Sequence, residues 1–352
     1  MPCERGLHCD VLLTRVAVLA DGGGWGGAQV YARSLVQHAP AGVECTVLTT
    51  AAHADRFAGP VRVVETSVRA DGAGLRAALA ELRPDLVQVN LVDPAGMVSA
   101  LEVAVSQAPT VATLHMRGEV PDLPRLRTAY AGLRALVAVS AEFACFARDV
   151  LGVADVVHVV NGVDPLRLVT PPGGAVPVVG ALGRLTAQKG FDVLLEAVRL
   201  LVDRGVPLRL LLGGEGRERV ALERQAAGLP VTFLGFQDGP ADLVARCDVF
   251  VLSSRVEALP LVLVEAVSAG LPAVSTDVGD VRAALGDVVD VVPVEDPVAL
   301  ADAVQRLLAD PADRRRRGAA GAQRARVALT AERMAQDAWR AFLAPLPRPA
   351  PG

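Results

Sequence analysis

Short runs of Val and Leu alternate with longer stretches of helical periodicity along almost the whole chain. The apolar runs fall at residues 15–19, 45–49, 61–64, 86–89, 110–114, 136–139 and 156–160, and they resume at 178–182, 208–212, 231–234, 249–252, 273–276 and 288–292. Strand–helix alternation of this kind predicts a parallel sheet with helices on both faces, since a crossover must carry the chain back to the edge where each strand begins. Unbroken apolar runs fit strands buried on both sides. The interruption at residues 165–177 is rich in Pro and Gly and reads as a linker. The expected fold class is therefore α/β, with two doubly wound Rossmann-like parallel-sheet domains, residues 1–170 and 171–329. Set face to face, they would bring their ligand-binding crevices onto one interdomain cleft. Residues 330–352 hold a last helix, 330–343, expected to pack back towards the first domain through Trp339 and Phe342, and a Pro-rich tail.

A length of 352 residues agrees with two domains. The chain is 52% hydrophobic but only 3% aromatic, so its cores must be built from Val, Leu and Ala. A formal net charge of -4 argues against a nucleic-acid partner, which would need a basic domain. Cys3, Cys9, Cys45, Cys145 and Cys247 show no CxxC spacing, so neither a zinc site nor a disulfide framework is expected, and a reduced cytoplasmic location follows. The first twenty residues, interrupted by Glu4 and Asp10, lack the apolar run of a signal peptide, and no stretch reaches the roughly 18 apolar residues of a membrane span. Four consecutive arginines at 314–317 read as a solvated helix face, with contact to acidic lipid or an acidic domain surface as the alternative. Peripheral membrane contact and oligomeric state stay open.

Of the 35 basic residues, 34 are arginine, and the one lysine is Lys189, within Gly-Arg-Leu-Thr-Ala-Gln-Lys-Gly at 183–190. An ammonium is a compact charge on a flexible stem and suits a phosphate oxygen where a flat guanidinium does not. Just after the apolar run 249–252 stands Glu257-Ala-Leu-Pro-Leu-Val-Leu-Val-Glu265, two glutamates separated by seven residues. Pro260 and Gly270 bracket a helix, a proline start and a glycine stop. Glu257 then lies in the loop and Glu265 on the helix, where a carboxylate suits a ribose diol. The first helical amides, Leu261 and Val262, suit a phosphate. Taken singly, either glutamate is also what a solvated helix start carries.

Taken together, these segments closely resemble the retaining glycosyltransferases of family 4, a GT-B fold group, over residues from about 15 to 342. Further matches are Gly-Gly-Ala-Gln at 26–29, His115 after a strand, Val-Ser at 139–140, Asn-Gly-Val-Asp at 161–164, Gly-Gly-Glu-Gly at 213–216 and Phe-Leu-Gly-Phe at 233–236. The resemblance implies an acceptor-binding first domain and a nucleotide-sugar-binding second domain. It gives Glu257 to the donor sugar, Glu265 to the nucleotide ribose, Arg184 and Lys189 to the diphosphate, and backbone near Gln237 to the base. His115 is implied to hydrogen-bond donor sugar or acceptor. The expected catalytic residues are thus Glu257, His115, Arg184 and Lys189. Gly26, Gly27, Ala258, Leu259, Pro260, Leu261 and Val262 complete the donor site, and Gln29, Asn90, Met116 and Arg117 are assigned to the acceptor.

Two departures stand out: Ala258 where the family usually has glycine, and Gly279-Asp280 where it has a glycine pair. No Asp-x-Asp occurs, so no metal or other cofactor is expected, and the diphosphate charge falls to Arg184, Lys189 and helix amides. The reading is a cytoplasmic enzyme moving a hexose from a nucleotide-diphosphate sugar, UDP before GDP, to a small hydroxylated acceptor in natural-product or glycolipid biosynthesis. A non-catalytic nucleotide-sugar-binding subunit and a sugar-nucleotide epimerase of similar fold are the alternatives. The G-x-G-x-x-G match at Gly22, Gly24 and Gly27 would suit a nicotinamide nucleotide, but the second strand ends in Thr49-Thr50 where an acid would be needed.

Overall fold

The computed structural model describes residues 14–21, 24–63, 72–170 and 173–344. Gly22, Cys3, Cys9, Pro171, Pro172 and the Pro-rich tail from residue 345 lie outside the described residues. The chain divides into two compact units. The first carries a seven-stranded sheet of β1 (Thr14–Leu19), β2 (Val43–Thr49), β3 (Val61–Val63), β4 (Leu86–Leu91), β5 (Thr110–Leu114), β6 (Ala135–Ala138) and β7 (Val156–His158). Its order is β3-β2-β1-β4-β5-β6-β7. The second carries β8 (Val178–Leu182), β9 (Arg209–Gly213), β10 (Val231–Gly235), β11 (Val249–Leu252), β12 (Ala273–Thr276) and β13 (Asp290–Val292), ordered β10-β9-β8-β11-β12-β13. The paired strands run parallel. In each sheet the order reverses beside its first strand, so the loops after β1 and β4, and after β8 and β11, open onto a crevice at the carboxyl edge.

The apolar runs become strands because both faces of each sheet are covered. Every residue of β4 is buried, including Gln88 and Asn90, and so is every residue of β5, β11 and β12. In the second unit the helices Phe191–Asp203 and Pro297–Ala309 close one face with Leu194, Leu195, Val198, Leu300, Val304 and Leu307.

Residues 165–177 are not a free linker. Leu166 N–H donates to Ser268 Oγ (3.0 Å), Val169 N–H to the Ala269 carbonyl (2.9 Å) and Gly173 N–H to Asp248 Oδ1 (3.2 Å), which fastens the segment to the second unit. The chain instead passes from the first unit to the second between Val157 and His158, and residues 139–143 also belong to the second. Pro and Gly signal missing regular structure; they do not signal missing packing.

In the arginine run Arg315 and Arg316 are exposed, as a solvated helix face requires, while its two ends are tied down. Arg314 donates to the Leu307 and Leu308 carbonyls at 2.8 and 2.7 Å, and Arg317 bridges Asp313 and Asp290, each at 2.9 Å. Among the described residues no helix is long and apolar enough to cross a membrane.

The helix Ala331–Leu343 begins in the second unit and belongs to the first from Ala335 onward. Trp339, 2% exposed, donates its indole N–H to the Leu35 carbonyl at 2.9 Å and meets Phe342 edge to face. Truncating a core Trp to Ala costs about 3–5 kcal/mol. Stranding a buried carbonyl costs about 1–3 kcal/mol. Trp339→Ala is therefore expected to lower stability more than Trp339→Phe, and both more than an exposed substitution, in urea unfolding followed by circular dichroism.

Candidate functional site

At the carboxyl edge of the second sheet two loops leave the neighbouring strands β8 and β11 side by side. The first, residues 183–190, curls through one 3₁₀ turn, Ala187–Lys189, and ends at Gly190, which has φ +60°. A Cβ at Gly190 would stand 2.1 Å from the Ser253 carbonyl oxygen, so only glycine permits the two backbones to touch. Arg255 N–H donates to the Gln188 carbonyl (2.8 Å), Gln188 Nε2 to the Val256 carbonyl (2.8 Å) and Ser253 Oγ to the Lys189 carbonyl (2.9 Å). The Arg255 guanidinium then grips Asp192 through two bonds of 2.9 and 2.7 Å, reaches Glu295 at 2.6 Å, and holds the Asp192 carboxyl below its usual range.

The loop after β9 closes on the other flank of 183–190. Gly183 N–H donates to the Gly213 carbonyl (3.1 Å), Leu185 N–H to that of Glu215 (2.9 Å) and Glu218 N–H back to that of Leu185 (3.0 Å). Side chains at Gly214 or Gly216 would begin 1.9 and 2.3 Å from the Gly183 and Leu185 carbonyl oxygens. Gly214 and Gly216 are thus required for backbone-on-backbone contact.

Within this frame the Lys189 stem lies along Gly183, close enough that a Cβ there would touch it at 3.4–3.5 Å, an ordinary van der Waals contact. Its ammonium pairs with Glu257 Oε1, which also accepts from Ser254 Oγ at 3.0 Å. The two side chains are 15% and 13% exposed, so each charge needs its partner. Both of these contacts fall on Oε1; Oε2 makes no hydrogen bond among the described residues. Arg184 is exposed, with no side-chain partner among the described residues, and the 3₁₀ turn brings the Lys189 stem back against Gly183 beside it.

Next comes the helix Leu261–Ser268, with Pro260 at its N-cap. Its first amides, Leu261 and Val262, have no intrahelical acceptor. Ala258, Leu259 and Pro260 are buried, while Leu261, Val262 and Glu265 are half-buried. The backbone before the helix is tied down by Asn161 Nδ2 on the Leu259 carbonyl (3.0 Å) and Asp280 N–H on that of Ala258 (2.8 Å). Gly279 has φ +49°, and a Cβ there would lie 1.8 Å from the Ala258 carbonyl oxygen, so the first residue of Gly279-Asp280 must be glycine. The second carries a side chain with work to do: Asp280 accepts from Ala141 N–H at 3.2 Å and meets His158 Nε2 at 2.6 Å. Gln237, beside Gly213, turns its Nε2 onto the Phe236 carbonyl at 2.9 Å.

The remaining candidates gather at the carboxyl edge of the first sheet. Gly26 is the extended N-cap of the helix Gly27–Gln37, and Gln29 in its first turn is 3% exposed with Nε2 unpartnered among the described residues. His115 follows β5 and is 8% exposed; burial lowers its pKa to about 3, so it is neutral near pH 7. Its Nε2 meets Asn90 Oδ1 at 2.6 Å. Asn90, expected at the acceptor, is 0% exposed and donates its Nδ2 to the Ala28 carbonyl at 2.8 Å, which places it beneath His115 and away from any surface. Met116 is half-buried, and Arg117 is exposed with its guanidinium 5.7 Å from the Phe146 ring. The candidates thus form two groups, one per unit.

Two family models match the chain: that described as Glycosyltransferase Family 4 over residues 25–167, and that described as Glycosyl transferases group 1 over residues 176–310. The chain belongs to the family 4, group 1 glycosyltransferases. It is 34% identical over 138 residues to the GDP-mannose-dependent alpha-(1-6)-phosphatidylinositol dimannoside mannosyltransferase of Mycobacterium tuberculosis, a match covering 38% of this chain and 36% of that one. It is 35% identical over 148 residues to the alpha-D-kanosaminyltransferase of Streptomyces kanamyceticus, covering 40% and 38%. The first of these curated relatives are each matched over about a third of their length. Anabaena Alr3699/HepE, solved in complex with UDP, superposes with a TM-score of 0.77 at 21% identity over 93% of this chain and 99% of that one. At that identity the likeness is one of fold, and the fold of this family 4 glycosyltransferase is GT-B.

Several residues of this candidate site carried no signal in the sequence. Arg255 and Asp192 are 63 positions apart and meet only because β8 and β11 are neighbours. Ser254, three residues before Glu257, had a local cue in that spacing, since a hydroxyl there can reach back to the carboxylate. At Gly205, φ is +73° but no atom lies within 4 Å of a Cβ, whereas Gly190 combines φ +60° with the contact to Ser253. Left-handed backbone alone costs about 1–3 kcal/mol. Gly190→Ala is expected to lower the melting temperature well beyond Gly205→Ala; equal losses would show that backbone contact at Gly190 is unimportant.

Proposed function

We propose that the protein is a retaining, metal-independent glycosyltransferase acting in the cytoplasm. It transfers a hexose from a nucleotide-diphosphate sugar, UDP before GDP, to a hydroxyl of a small acceptor in natural-product or glycolipid biosynthesis. The observation that carries this reading is the pairing of the chain's single lysine with Glu257 at the switch point of the second sheet, beside the helix start at Leu261. The relatives' names support it: one uses GDP-mannose, one transfers kanosamine, and the fold neighbour holds UDP.

In this reading the diphosphate sits against Lys189, Arg184 and the amides of Leu261 and Val262, with Glu265 on the ribose and Gln237 near the base. Lys189 exchanges Glu257 for phosphate oxygens, which frees the Glu257 carboxylate for a sugar hydroxyl. The acceptor oxygen bonds to the anomeric carbon on the face from which the phosphate oxygen leaves, and the acceptor proton passes to that departing oxygen. Stabilising the leaving diphosphate is the main electrostatic task, and loss of one such contact costs about 10²- to 10³-fold in rate. Ala258, buried beside Glu257, adds a methyl group that narrows the choice of sugar.

A thermal-shift panel of UDP-, GDP-, ADP- and dTDP-sugars, followed by an acceptor screen with the stabilising donor, tests the proposal. Transfer with retained anomeric configuration, unchanged by a chelator, is expected. Tight donor binding without transfer or hydrolysis would mark a binding subunit, and an altered sugar with no acceptor requirement would mark an epimerase. Lys189→Arg is expected to reduce turnover at saturating donor at least tenfold, because a planar fork does not replace a point charge confined along Gly183. Ser254→Ala is expected to weaken donor binding by at most the roughly 1.5–3 kcal/mol of a hydrogen bond to a charged group, read as a smaller thermal shift with the stabilising donor.

A further inference from the structure

The neighbourhood of His115 fixes more than its place. On β4 the residues Gln88 and Asn90 point to one face of the sheet, and on β5 so do Thr113 and, just past the strand, His115. Gln88 Nε2 donates to Thr113 Oγ1 at 3.1 Å, and Asn90 stands opposite Thr113 in register, so a line of buried polar side chains runs along the β4–β5 pair and ends at the imidazole. The helix Gly27–Gln37 lies over the end of this line: its Tyr31 ring meets the His115 ring edge to face, with centroids 4.8 Å apart. The Ala28 carbonyl of the same helix can only accept a hydrogen bond. It therefore claims the NH₂ group of Asn90, at 2.8 Å, and turns Oδ1 towards His115. Since Oδ1 can only accept, His115 Nε2, 2.6 Å away, must carry a hydrogen.

We propose that Asn90 is a positioning residue that locks His115 in its Nε2–H tautomer and so presents Nδ1 as a lone-pair acceptor to a ligand hydroxyl. The identification of that ligand as a sugar substrate rests on the function proposed above; the tautomer does not. An imidazole has one hydrogen to place when neutral, so a partner that takes Nε2–H dictates what Nδ1 can do. Burial, with Tyr31 against the ring, opposes the second proton that would turn Nδ1 into a donor. Nδ1 makes no hydrogen bond among the described residues, and the residue keeps 8% of its surface exposed. His115 in this arrangement accepts from a hydroxyl and orients it, and it delivers no proton to a leaving group.

The tautomer can be read directly by long-range proton–nitrogen correlation on the full chain with ¹⁵N-labelled histidine, His115 being assigned by its disappearance in His115→Gln. A pyrrole-like Nε2 and a pyridine-like Nδ1 at neutral pH are expected. An Nδ1–H tautomer or an imidazolium at that pH overturns the proposal whether or not any transfer activity is found. Asn90→Asp keeps the side-chain shape but puts a carboxylate against Nε2, which favours the charged ring, so the His115 resonances should titrate at higher pH than in the wild type. Where transfer is measurable, its rate should acquire an acid limb of about tenfold per pH unit in Asn90→Asp that the wild type lacks. Asn90→Leu should lose the single tautomer. If Asn90→Leu folds as the wild type does, by circular dichroism, and keeps the Nε2–H form, Asn90 does not set it and the proposal fails.

Discussion

Backbone packed directly on backbone is the constraint on which the second unit depends. The segment 183–190 is clasped between the loops after β9 and β11, and at Gly190, Gly214 and Gly216 the approach leaves no space for a methyl group. What such contact achieves is rigidity without side-chain entropy: the hydrogen bonds of Gly183, Leu185 and Gln188 run between main chains or to them. Lys189 can then be the flexible element in a fixed surround. Its stem follows Gly183 and its ammonium has one close carboxylate to meet.

The first unit solves a different problem with the opposite material. Its carboxyl edge is organised by four buried polar side chains, Gln88, Asn90, Thr113 and His115, on two neighbouring strands whose remaining buried residues are mostly apolar. Buried polar groups are costly unless bonded; here the Ala28 carbonyl, which can only accept, orders Asn90 and through it His115, while Gln88 donates to Thr113 Oγ1 and its own Oε1 stays without a partner among the described residues. One unit holds charge in place with glycines; the other holds a neutral ring in place with amides.

The strands were legible because parallel strands buried on both faces must be continuous apolar runs, and runs such as 110–114, 178–182, 249–252 and 273–276 coincide with β5, β8, β11 and β12. The helix after Pro260 was legible from its proline and glycine. Glu257, Lys189 and Arg184 were legible because each sits within a few residues of such a landmark. Asn90 reads from the sequence as an acceptor contact, since a polar residue at a strand end looks alike whether it faces a ligand or a neighbouring imidazole; only the register of β4 against β5 separates the two. Arg255, Asp192 and the pair His158 and Asp280 depend on strand order and on crossings of the chain, which local spacing does not encode. The attachment of 165–177 to the second unit is hidden from local sequence for a related reason, as its hydrogen-bond partners lie between 75 and 102 positions away.

Lys189 is the one side-chain amine in the whole sequence, and it lies 15% exposed against a carboxylate. Reagents that acylate or reductively alkylate side-chain amines, elsewhere a blunt means of surface labelling, therefore have a single side-chain target in this chain. Their rate reports how often Nζ leaves Glu257, so the chemistry of modification becomes a clock for the motion of one ion pair.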